Sequence, residues 1–174
     1  MEEKAILGKM RNGDEQVKDA ALEEMRCLKE GGLSDDPRKM QEELPFLAAC
    51  DTRFGDKQTY KMISRHCKQF HEQYFDRKTG LYHVPGCKDA EGLVLKTLVD
   101  TIEEMDMQLY EHYRALADLF FEAARGLISH ETEASTMAAD ALQKGVQLGL
   151  LDEEKYLPIA LKMKGAACGE GKKP

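Results

Sequence analysis

Residues 44–84, LPFLAACDTRFGDKQTYKMISRHCKQFHEQYFDRKTGLYHV, decide how this chain is read. Tyr60, Ile63, Cys67, Phe70 and Tyr74 recur at three- and four-residue steps, which places them on one face of a helix starting near Lys57. Asp56 stands where a carboxylate would cap that helix. Lys57, Lys61, Arg65 and Lys68 make a second stripe, and this one is cationic. Then Asp76-Arg77-Lys78-Thr79-Gly80 carries turn chemistry, with Gly80 free to take positive φ. The short apolar segment Leu81-Tyr82-His83-Val84 returns His83 toward whatever the helix packs on. The pattern is a helical hairpin whose connecting loop presents side chains to a ligand. Residues 46–50, just upstream, are apolar on nearly all sides and predict deep burial.

The same periodicity extends in both directions. Upstream it predicts a short helix over 2–10 and a longer one over 15–29, stopped by Gly31-Gly32. Ser34-Asp35-Asp36-Pro37 reads as a helix start with Pro at its first position, and Pro45 as a kink or a fresh start near Glu43. Downstream, helices are expected from about Ala90 to Met105, over 108–127 and over 132–148, and from Asp152 to about Lys164. No segment alternates convincingly enough to be a strand. The expectation is one all-α domain over 1–165, about seven or eight helices packed as antiparallel neighbours, with a flexible tail over 166–174.

Composition narrows the function classes. No apolar run approaches the ~18 residues of a membrane span, and the acidic N-terminus has no signal-peptide character. Five cysteines, an odd number without CxxC spacing, read as reduced thiols and point to a cytoplasmic setting. A net charge of −7 argues against nucleic acid. Residues 53–88 nevertheless carry eight Lys/Arg against three Asp/Glu. That local excess is either a solvated helix face or an attractor for an anionic small ligand such as a uronate sugar.

Few motifs carry chemistry on their own. Cys67 and His71 lie four apart on one helix, but no second half-site accompanies them, so no metal and no cofactor is expected. His112 is expected to hydrogen-bond in a seam between helices, and His66 and His130 have no evident role. Asp35-Asp36 is most simply an N-cap and secondarily the source of a general acid.

LPFLAACDTRFGDKQTY and DRKTGLYHV resemble segments of the unsaturated glucuronyl and rhamnogalacturonyl hydrolases, glycoside hydrolase families 88 and 105. The resemblance continues in LVDTIEEMDMQLYEHYRALADLFFEAARGL and is closest in ETEASTMAADALQKGVQLGLLDEEKYLPIA. It implies helical hairpins of an α/α toroid, like the (α/α)6 barrel but incomplete, with the site in its mouth. It also implies hydration of a 4,5-unsaturated uronic acid by one Asp acting as acid and base. The family's Asp precedes Pro-Phe beside a Trp. This chain has no Trp, and seven residues before Pro45 stands Arg38, so Asp36 and Asp35 are the candidates. His83, Glu131, Thr132 and Ser135 are the substrate contacts implied, and a small acidic oligosaccharide is the partner. A shortened toroid also leaves helix faces uncovered, which predicts self-association. The alternatives are a non-catalytic helical module that binds sugar or protein, and a fragment that has lost its site.

Overall fold

The computed structural model describes residues 2–129 and 135–169. Glu131, Thr132 and His130 therefore lie outside the described residues, as does the tail from 170 on. Eight α-helices run through the described chain: α1 (Glu2–Arg11), α2 (Lys18–Gly31), α3 (Pro37–Phe54), α4 (Thr59–Tyr74), α5 (Ala90–Glu104), α6 (Tyr110–Ser129), α7 (Thr136–Gln147) and α8 (Glu153–Gly169). Successive pairs form antiparallel hairpins. α1, α3, α5 and α7 pack side by side as an inner row, and α2, α4, α6 and α8 lie outside them. This is the all-α toroid architecture, carried part of the way round.

α5 is central. Twelve of its residues are buried, including Leu95, Leu98, Val99 and Ile102, because it packs between α3 and α7 with α6 behind it. α3 supplies the opposing wall, with Leu44, Phe46, Leu47, Ala48 and Ala49 all fully buried. Along the row, Lys96 and Lys144 both pair with Asp100 (2.7 and 2.6 Å), and Arg11 and Arg53 both pair with Glu104 (2.6 and 2.9 Å).

Several local expectations need correction. α3 continues through Pro45 without a fresh start, its buried ring sitting within an otherwise intact helix. The segment expected as a helix over 15–29 begins as a 3-10 turn, Glu15–Val17, before α2. α4 starts at Thr59, two residues later than expected. Asp56 does accept the Gln58 N–H (3.2 Å), yet the main acceptor at this start is the fully buried Asp51. Asp51 takes the N–H groups of Lys57 (2.9 Å) and Thr59 (2.7 Å) and also the Thr59 hydroxyl. A two-residue antiparallel pair, β1 (Phe75–Asp76) with β2 (Leu81–Tyr82), closes the turn where no strand was expected. α8 extends to Gly169, so residues 166–169 are helical rather than part of a tail.

Candidate functional site

Direction along the inner row fixes which loops meet. Glu104, at the end of α5, pairs with Arg53 near the end of α3, so these helices run parallel. Ser135, the N-cap of α7, donates its hydroxyl to Asp89, the N-cap of α5, at 2.9 Å. The starts of α3, α5 and α7 therefore share one end of the molecule, where their positive dipole ends favour anions. Two of the connections expected to carry the site, 32–36 and 75–89, belong to this end, as does Ser135.

An open groove of about 530 Å³ lies there between the α2–α3 connection and α4, lined by Leu33, Asp35, His66, Gln69, Phe70, Glu72 and Gln73. Asp35 is well exposed, 59% by side chain. The Ser34 carbonyl accepts from His66 Nε2 at 3.0 Å, which places the imidazole proton on that nitrogen. Asp35 Oδ1 lies 3.7 Å from the same nitrogen, too long for a hydrogen bond but close enough to pair with an imidazolium. Asp36, by contrast, is engaged: its Oδ1 accepts the Arg38 N–H at 2.9 Å and caps α3. Of the two candidate carboxylates, only Asp35 lines the groove.

The hairpin loop holds a second cluster. Its turn tip is seated closely on α6, where Gly80 (φ +73°) meets Gly126 so tightly that a Cβ at Gly126 would overlap the Gly80 carbonyl oxygen. Tyr82 points inward, and its hydroxyl hydrogen-bonds His71 Nδ1 at 2.7 Å. His71 Nε2 faces Glu122 at 3.3 Å, and the imidazole stacks on Phe75 with ring centres 4.2 Å apart. Burial pushes the His71 pKa below its ordinary value, against the pull of Glu122. The Tyr82 N–H donates to Glu91 Oε1. The other Glu91 oxygen is buried without a partner. Burial is the main cause that pushes this carboxyl up to about 7, opposed by the Tyr82 N–H and helped by Asp89.

His83 does not turn back toward the helix. Alternation along the extended segment sends Tyr82 in and leaves His83 exposed, with Thr79 Oγ1 3.4 Å from its Nε2. It is not among the groove-lining residues. Ser135 is a cap and an Asp89 partner, with its Oγ also accepting the Ala138 N–H at 3.3 Å. His112 bonds Ser64 across the α4–α6 seam at 3.1 Å, as expected. Cys67 is buried and His71 is engaged, and among the described residues no group of three or more candidate ligands could hold a metal. His66 and Glu91 escaped the sequence reading. A polar residue i+3 from a buried one, as His66 is from Ile63, is the weak signal that could have found the first. Nothing in the sequence marks Glu91.

No family model matches this chain, and no curated protein does. A solved structure of a family 105 glycoside hydrolase from C. acetobutylicum ATCC 824 is similar, with a TM-score of 0.74 at 18% identity. The match takes in 92% of this chain and 60% of that one, so the chain spans less than two thirds of the hydrolase's length. The likeness is one of fold: the arc of hairpins described above is a family 105-like arrangement.

Proposed function

We propose that this chain is a glycoside-hydrolase-like protein acting on unsaturated uronyl oligosaccharides, with Asp35 as the acid and base. The observation that carries the reading is Asp35 on the rim of the groove, its carboxylate 3.7 Å from the His66 imidazole, on a fold like that of a family 105 hydrolase. In this scheme the protonated carboxyl delivers its proton to C4 of the C4=C5 double bond. The resulting carboxylate then takes a proton from the water that adds at C5. The hemiketal so formed opens and the glycosidic bond breaks. Gln69, Gln73 and Glu72 offer the amide and carboxylate partners that sugar hydroxyls require. Self-association through uncovered helix faces belongs to the same proposal and is supported by the exposure of Phe121 and Leu161.

One observation favours a second reading, a module that binds sugar without cleaving it. The groove lining holds two carboxylates and no Lys or Arg to meet a uronate carboxylate.

A single assay separates the two. Absorbance of an unsaturated uronyl disaccharide is followed near the enol-ether band for wild type, Asp35→Asn and Asp36→Asn. Turnover that is abolished by Asp35→Asn and retained by Asp36→Asn is the expected result. Equal rates in wild type and Asp35→Asn remove Asp35 from the mechanism. Saturable binding without product selects the module, and neither binding nor product overturns both readings.

A further inference from the structure

The hairpin that carries His83 is fastened at Tyr82 from two sides. Its hydroxyl joins the His71–Glu122 pair, which satisfies every member. Its N–H joins Glu91, which is not satisfied: one carboxyl oxygen accepts this single bond and the other is closed off from water with no partner. An ionised carboxylate in that position has one oxygen stripped of hydration and only one hydrogen bond regained, so the protonated form of Glu91 is favoured.

We infer that Glu91 is a proton-operated latch: neutral, it holds Tyr82 and the β1–β2 hairpin against the start of α5, and ionised, it lets them go. The surrounding groups leave the charge uncompensated. Asp89, on the same helix start, is a carboxylate already taking the Ser135 hydroxyl. On the far side of Tyr82 stand Cys67 and His71 from α4 and Glu122 from α6. Of these, Cys67 is buried with its thiol pushed up to about 12, and burial keeps His71 on the neutral side of its ordinary titration. The Gly92 position gives no relief, since a side-chain carbon there would fall 2.6 Å from Ser135 Oγ and 2.7 Å from Asp89 Oδ1. The Glu91 carboxyl, pushed from its ordinary 4.5 up to about 7, agrees with the geometry.

The sign follows from linkage. A carboxyl whose folded pKa is raised contributes its full hold below its ordinary pKa, and that hold is lost as pH rises through about 7. His71, with a lowered pKa, acts in the opposite sense and over lower pH. The latch does not depend on the reaction proposed above.

Amide exchange at Tyr82 reads it directly. After correction for intrinsic base catalysis, the opening equilibrium of wild type is expected to rise about tenfold between pH 6 and pH 8.5. Glu91→Gln, which keeps an acceptor for the Tyr82 N–H and has no charge, is expected to stay flat over the same range. A wild-type change under about twofold, or a parallel rise in Glu91→Gln, overturns the latch. Should that variant fail to fold, carbon NMR titration of the Glu91 carboxyl in the wild type decides. A midpoint near 7 supports the latch, and one at or below 5 overturns it.

Discussion

At the end of the inner row where α3 and α5 finish, the polar groups between α3, α4 and α5 are closely paired, although the buried Tyr156 hydroxyl of α8 has no partner. The Thr52 hydroxyl is shared among the Ala48 and Glu104 carbonyls (2.6 and 2.8 Å) and the Tyr60 hydroxyl, and Tyr60 in turn accepts the Asp106 N–H at 2.6 Å. Asp51 and Glu104 each serve several donors. At the opposite end, where α3, α5 and α7 begin, Asp35 and His83 are exposed, Glu91 has an orphaned oxygen, and a groove stands open. The contrast separates two uses of polar side chains on one scaffold. Where carboxylates and hydroxyls are shared among several partners the helices are held together, and where a carboxylate lacks them a ligand or a proton has something to complete.

The sharpest way to break this contrast is Asp51→Ala. It would orphan the Lys57 and Thr59 amides and the Thr59 hydroxyl at the buried start of α4, and the expected loss is about 4 kcal/mol in urea unfolding. A loss near zero would mean the far end is not locked by these bonds. Gly126→Ala comes next, at about 2 kcal/mol, because the methyl group must displace the Gly80 carbonyl. Combined with Gly80→Ala it should cost less than the sum by the contact the two share, while the strain of a side chain at the positive φ of Gly80 remains. Asp36→Ala is expected to remove about 1 kcal/mol as a lost cap, with Asp36→Asn retaining most of that. Full loss in Asp36→Asn would show the charge, rather than the acceptor, to be what α3 needs.

How much of this was readable in advance differs between the two ends. Period alone placed the helices, since Tyr60, Ile63, Cys67 and Phe70 are buried together as their spacing requires. The site end resisted for physical reasons. His83 and Tyr82 are neighbours, and a one-residue change of register decides which faces in. Asp35 and Asp36 both suit a helix start, and only the fold shows that Asp36 caps while Asp35 faces His66. The Asp56 expectation held for the Gln58 N–H but missed the main acceptor, because Asp51, a residue inside the preceding helix, reaches across the turn, and such a contact leaves no local trace. Pro45 ran through α3 because burial on both flanks outweighs its missing N–H.

The meeting of Gly80 with Gly126 has a consequence for tolerance. It works as a spacer of zero length between loop and helix, and the hairpin's height above α6 is set by the absence of side chains. Any insertion of matter there, even one methyl, lifts the whole loop, and a lift of about 1 Å at His83 separates a hydrogen bond made from one missed. The height of this loop is therefore written into two residues that have no side chains.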